Sequence, residues 1–450
     1  MPYLKSLLQD ILETPCLHDA RAKLLGGAPA QAVLGGLTAP AKGLVLGLLA
    51  HEIHRPLVVI TADNETAERL SRTAATTMDW LAAGSAAGAD VLPAVDCSPY
   101  EGRSPHPEIS ERRAVALWNV ARGQTRVLFV PLAAALGRFR DRSFYSSLAL
   151  DLRMGDEVSL DDLAEHLISV GYESSEPVAA PGQFSVRGGI VDIFPPEAER
   201  PARLEFLGDT IESVREYDPS TQRSQQGKSS VLILPFSEHR RSPQLFSSLV
   251  RTLTTRAPSK RGEPEWAAEY SDPFPGWEFF APLVEPHRQT LFTLFEQPIV
   301  VWDEPVERMT QLQKTLEGLH SAYDEVRDVV PPRPQPEEAF QTETEFLQAV
   351  EGLPALSLKE LAVDDAARPE LAGRHFVLPT QPAPKFHGAV KSIVEDLSQR
   401  RQRGETVVVV LPTGGKVDRL REILAEYEVP FAVDDVGAPA AAGLAPPQVV

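Results

Sequence analysis

The sequence predicts an α/β protein: a parallel sheet covered by helices on both faces, a second small domain of antiparallel sheet with one helix, and a further small α/β unit towards the C-terminus. Three observations carry this prediction. Two short apolar runs, Leu57-Val-Val-Ile60 and Val127-Leu-Phe-Val130, alternate with helical patterns and are bounded by Pro56 and Pro131, as buried parallel strands are. From about residue 150 to 236, strand-like runs follow one another closely, separated by Gly and Pro turns. Beyond residue 375 a helical pattern, an apolar run and a second helical pattern recur.

Each element has its own local signal. Met1-Pro-Tyr-Leu-Lys-Ser opens an amphipathic helix; an export signal would need a charged start followed by an apolar stretch. Residues 64–81 and 109–121 carry apolar side chains at helical spacing. Ser159, followed by Asp161 and Asp162, is placed to cap a helix running to about Val170, and Gly171 ends it. Strands are expected at 184–187, 190–194, 203–206, 211–217 and 231–234, with turns at Gly188-Gly189, Pro195-Pro196, Gly208-Asp209 and Asp218-Pro219. A helical pattern returns over 237–330, interrupted at 291–294 and by the strand-like Pro298-Ile-Val-Val-Trp302, and Pro331-Pro-Arg-Pro-Gln-Pro336 is a stiff extended spacer. Near the end, Thr406-Val-Val-Val-Val-Leu411 reads as a buried strand between helices at 388–402 and 417–427, and a new strand begins at Gln448-Val-Val450, as if the chain were cut.

Composition narrows the function. A chain of 450 residues with 43% hydrophobic and 24% charged residues is ordinary for several soluble domains. No apolar stretch is long enough to cross a membrane. With only Cys16 and Cys97 there is neither a disulfide framework nor a thiolate metal cluster, which points to the cytoplasm. The net charge of −19 argues against strong DNA binding by this stretch, because a phosphate backbone calls for clustered cations. It leaves protein partners open.

The most specific segment is Gly182-Gln-Phe-Ser-Val-Arg-Gly-Gly-Ile-Val-Asp-Ile-Phe-Pro-Pro196, with Arg203-Leu-Glu-Phe-Leu-Gly-Asp-Thr-Ile-Glu-Ser-Val-Arg-Glu-Tyr-Asp-Pro219 after it. Ile190, Ile193, Phe194, Leu204 and Phe206 are expected in the core. Arg203 and Glu205, two apart on one strand, share the outward face, where such a pair is by itself a solvated ion pair. The two segments resemble, in order and spacing, the interaction domain shared by the excision-repair protein UvrB and the transcription-repair coupling factors (Mfd). The resemblance implies that Arg187, Arg203 and Glu205 belong to a UvrA-binding face. Ser185 and Ser174 stand where the UvrB-like pattern has Arg.

Gly36-Leu-Thr-Ala-Pro-Ala-Lys-Gly43 keeps Gly36 and Lys42 at the spacing of a phosphate-binding loop. Ala41 replaces the glycine that lets the backbone approach phosphate, Gly43 replaces the magnesium-binding hydroxyl, and Pro40 removes a donor. Its place in the chain resembles that of the intact loop in UvrB, so the segment reads as a relic. Asp303-Glu304, at the end of an apolar run and before Pro305, is the nearest candidate for a metal-binding acidic pair, but reads as a solvated strand end with no competent loop facing it. His51 and His54 share a helix face without further ligands, His106 and His387 have no ligand spacing, and Arg400-Arg-Gln-Arg403 is a solvated helix end. Ser98-Pro-Tyr-Glu-Gly102, Ile109-Ser-Glu-Arg-Arg-Ala114 and Pro382-Ala-Pro-Lys-Phe-His-Gly388 are further segments similar to coupling factors.

The resemblance implies a degenerate Rossmann-like (P-loop helicase-like) domain split into 1–147 and 237–355 by an interaction domain at 148–236. A linker at 356–372 and a truncated small α/β domain at 373–450 follow. It implies an adaptor that recruits UvrA to stalled RNA polymerase and needs no cofactor in this segment. ATP and Mg²⁺ would belong to a C-terminal motor, through which RNA polymerase and DNA are engaged. The rival expectation is a UvrB-like ATP-dependent DNA motor, against which Ala41 and Gly43 speak.

Overall fold

The computed structural model describes residues 2–26, 30–82, 88–221, 223–257, 265–362, 373–411 and 413–433. Strands β1 (Gln31–Gly35), β2 (Leu57–Thr61), β3 (Ala89–Val91) and β4 (Val127–Pro131) precede residue 150. Then come β5 (Leu150–Arg153), β6 (Glu173–Ser174), β7 (Gln183–Arg187), β8 (Ile190–Ile193), β9 (Ala202–Leu207), β10 (Thr210–Tyr217), β11 (Ser224–Lys228) and β12 (Ser230–Ile233). Strands β13 (Ile299–Asp303), β14 (Ala355–Leu358) and β15 (His375–Val377) complete the set.

A seven-stranded sheet runs β15-β1-β14-β13-β2-β4-β3, every neighbouring pair parallel. Every residue of β2 and β4 is buried, which is why these runs show no polar alternation. Alternate residues instead feed two cores. Leu57, Val59, Val127 and Phe129 join the helices Pro15–Leu25, Ala39–Glu52 and Asn64–Ala82, whereas Val58, Ile60, Leu128 and Val130 face Leu117 and Val120 of the helix Pro107–Ala121. The second core continues without a break into Leu163, Leu167, Val191, Ile193 and Leu204.

Val191, Ile193 and Leu204 belong to a six-stranded sheet, β11-β10-β9-β8-β7-β6, antiparallel except for the short parallel pair β6–β7. It packs on the helix Leu160–Ser169, whose N-cap Ser159 accepts a bond from the Asp162 amide. The run at 231–234 is not part of this sheet: β12 pairs antiparallel with β5. The chain therefore enters and leaves the insertion on adjacent strands, which lets it interrupt the larger unit without separating its halves. Arg113 adds a buried bidentate pair to Glu238, just past the exit (Nε–Oε1 2.5 Å, Nη2–Oε2 3.1 Å).

Other expectations shift. Between 265 and 294 the helical pattern resolves mainly into short 3₁₀ turns, with Trp277, Phe274, Phe280 and Tyr270 in a local aromatic core against the helix Pro243–Arg256. β14 and β15 lie beside β1 in the large sheet, so the segments read as the start of a linker and the start of a separate unit are main-sheet strands. Residues 363–372 of that linker, and the strand expected at 448–450, lie outside the described residues. The run at 406–411 forms no continuous strand: Val407 alone makes a β-bridge, while Val407 and Val409 pack against the helices Val390–Gln402 and Gly414–Glu426.

Candidate functional site

The Gly36–Gly43 segment begins where β1 ends. Gly36 has φ +83°, and a Cβ there would lie 2.9 Å from the Leu378 carbonyl oxygen, so the turn and the close approach of the β15 segment both demand glycine. The Leu37 amide donates to the Lys359 carbonyl (3.1 Å) and the Thr38 amide to the Thr380 hydroxyl oxygen (2.7 Å). Thr380 in turn donates from its amide (2.8 Å) and its hydroxyl (2.9 Å) to the Gly36 carbonyl. Both amides, of Leu37 and Thr38, are thus bonded within the chain. The helix starts at Ala39, so Pro40, Ala41, Lys42 and Gly43 are helical residues. A Cβ on Gly43 would sit 2.6 Å from Thr73 Cβ, which makes this glycine a close-packing residue between two helices.

Lys42 corrects the expectation for Asp303 and Glu304. Its Nζ reaches Asp303 Oδ1 at 2.5 Å and Glu304 Oε1 at 2.7 Å, with the lysine side chain only 6% exposed. Asp303 is not a solvated strand end; the Gly36–Gly43 segment faces it because β14 alone separates β1 from β13. Burial pushes the Lys42 pKa down, but the two carboxylates, as bonds and as charges, outweigh it and leave the pKa raised. Glu304, held at φ +47°, also accepts the Glu360 amide at 2.7 Å. This triad ties the loop after β1 to the end of β13.

On the six-stranded sheet, register aligns Ser185, Asp192, Arg203 and Arg215 in one row and Arg187, Ile190, Glu205 and Ser213 in the next. Arg187, Arg203 and Glu205 therefore share a face, but their roles differ. Arg203 is largely buried: it makes a bidentate pair with Asp192 (2.7 and 2.8 Å) and stacks over the Tyr217 ring at 4.6 Å. Arg187, with its side chain 46% exposed, reaches Asp192 at 3.0 Å and Glu176 at 3.2 Å. Glu205 pairs not with Arg203 but with Ser213 (2.7 Å) and, more loosely, Arg215 (3.7 Å).

Sequence reasoning missed Asp192, the buried carboxylate under both arginines. Its signal was an acid set between Val191 and Ile193 in an otherwise apolar strand, which needs a cation across the sheet. Ile190, expected in the core, is instead 36% exposed because it lies on the outward face with Arg187 and Glu205, and Leu207 (71% exposed), which sequence reasoning missed, joins it at the open end of that face. Ser185 is buried beside Asp192, and Ser174 is exposed on β6.

Of the histidines set aside above, His54 contacts Arg126 at 3.4 Å and is exposed. No group of three or more metal-ligating side chains occurs among the described residues. Nor, among them, is any helix long and apolar enough to cross a membrane.

Comparison with known proteins bears on the same segment. Residues 150–239 match the family model of the UvrB interaction domain. The chain is similar to the transcription-repair-coupling factor of Myxococcus xanthus, 28% identical over 92% of this chain and 37% of that protein. It is likewise similar to those of Escherichia coli K12 (31% over 46% of this chain and 18% of the relative) and Bacillus subtilis 168 (28% over 46% and 17%). The chain thus spans little more than a third of the longest-matched relative, and the resemblance to coupling factors seen in the sequence holds.

Proposed function

From a UvrB interaction domain carried within a relative of the transcription-repair-coupling factors, we propose that this chain is a DNA-repair adaptor whose charged sheet face, Arg187, Arg203 and Glu205, binds UvrA. The observation that carries the reading is the Arg187–Asp192–Arg203 cluster. A buried carboxylate holds two guanidinium groups in fixed positions, and Arg187 remains nearly half exposed, so a partner carboxylate meets an ordered donor. Leu207 and Ile190 supply apolar contact at the edge of that face.

The parallel-sheet unit is in this reading a degenerate P-loop helicase-like domain that binds neither ATP nor Mg²⁺ and does no chemistry. Lys42 is neutralised by two carboxylates, and the loop amides of Leu37 and Thr38 are bonded to the chain itself. ATP-driven movement on DNA and contact with RNA polymerase belong to parts of the whole protein that this chain does not span, and the work is cytoplasmic. The rival, a UvrB-like ATPase, needs those amides and that lysine free for phosphate. The test is titration of the chain with purified UvrA and, separately, with Mg-ATP. Saturable UvrA binding without nucleotide binding supports the adaptor; micromolar Mg-ATP affinity abolished by Lys42→Ala overturns it in favour of the motor.

A further inference from the structure

A cavity of about 400 Å³ lies beyond the carboxyl ends of β3 and β4, walled by the segments 94–99 and 133–138, the 3₁₀ turns around Phe279 and the helix Arg308–Val326. That is the edge of a parallel sheet where ligands bind in α/β proteins, and the volume suits a small molecule. We infer that this cavity is a binding site for a small planar aromatic molecule that donates one N–H hydrogen bond.

The walls are mainly apolar, with Phe279, Phe340, Pro282 and Leu319 among them. Polar and charged side chains line it too, but the Arg138 guanidinium is tied to the Glu337 and Phe340 carbonyls and to Glu345. The Arg113 guanidinium is tied by two bonds to Glu238 and one to the Pro93 carbonyl. His287 Nδ1 lies 3.2 Å from the Arg138 carbonyl oxygen; a carbonyl only accepts, so Nδ1 carries the proton and Nε2 is an acceptor with no partner among the described residues. Burial, helped by His239 and Arg140 and opposed by Glu238 and the Arg138 carbonyl, holds the His287 pKa down at about 3, so the ring stays neutral. His239 stacks on it at 5.7 Å and 12°, fixing its plane.

A second observation points the same way. Gly318 lies in the interior of the helix Arg308–Val326, where glycine destabilises relative to alanine. No contact requires it: a Cβ built there meets nothing within 4 Å. Gly318 is exposed on the open side of the cavity, where a bulkier side chain would narrow the entrance.

The probes are indole and benzofuran, which share shape and differ in the ring N–H, titrated calorimetrically into the full 450-residue chain. Indole should bind saturably and benzofuran at least about tenfold more weakly, because it leaves the buried His287 nitrogen unpaired. Gly318→Leu should remove both without lowering the thermal midpoint, Gly318→Ala should keep both, and His287→Phe should bring indole down to the benzofuran level. The inference is overturned if indole does not saturate, if the two probes bind equally, or if Gly318→Leu binds as the parent chain does.

Discussion

The protein contains two buried ion triads of opposite construction. In the Gly36–Gly43 segment one cation, Lys42, is enclosed by two carboxylates and has 6% of its side chain exposed. On the inserted sheet one carboxylate, Asp192, 2% exposed, is enclosed by two arginines, of which Arg187 keeps 46% exposure. The first arrangement turns its charge inward and fixes the helix after β1 to the end of β13. The second keeps the charge facing outward and fixes only its position. If the first holds the fold and the second serves a partner, mutation of the first should be read in stability alone and mutation of the second in partner affinity as well.

The largest effect should come from Lys42→Met. Removing the cation leaves Asp303 buried without compensation, which typically costs ~3–5 kcal/mol. Urea unfolding should show that loss while UvrA affinity stays unchanged; a matching loss of UvrA affinity would mean the two triads are not independent. Asp192→Asn should cost less, about 2–3 kcal/mol, since the asparagine still accepts from one arginine. It should also weaken UvrA binding, because Arg187 and Arg203 lose their anchor.

Gly43→Thr returns the hydroxyl that a magnesium-binding loop would have, yet the Cβ would meet Thr73 at 2.6 Å. Overpacking at such a contact costs roughly 1–3 kcal/mol. The variant should melt earlier and still bind no nucleotide in an equilibrium titration.

The smallest effect is on pH dependence. Because the Lys42 pKa is raised in the folded state, the stability it contributes is complete below the ordinary lysine value near ~10.4 and is lost as pH rises through the higher folded value. Thermal melts above that value should therefore fall more steeply for the parent chain than for Lys42→Met.

How much of this was legible in the sequence depended on whether the signal was local. β2 and β4 were readable because strands buried on both faces are apolar throughout. Ser159 was readable because a cap acts within one turn. The Lys42 triad was not, since its members stand 261 and 262 positions apart and meet only through the strand order β1-β14-β13. β15 has three residues, none fully buried, and carries no pattern to detect. On the inserted sheet, period-2 spacing placed Arg203 and Glu205 on one face correctly. Spacing could not say that Arg203 would turn down onto Asp192, because that depends on the register between β8 and β9.

The most direct test of the central claim, that the outward triad is the UvrA site, is the affinity of UvrA for Arg187→Glu measured beside Arg400→Glu. Breaking a hydrogen-bonded charge pair at an interface costs ~2–5 kcal/mol, and reversal adds repulsion, so Arg187→Glu should weaken binding by at least about thirtyfold. Arg400 sits outside the inserted sheet and pairs with Asp396 and Glu405. Its reversal should leave UvrA binding nearly unchanged. Equal weakening by both substitutions would show diffuse attraction without a specific site, and full UvrA affinity in Arg187→Glu would place the contact elsewhere.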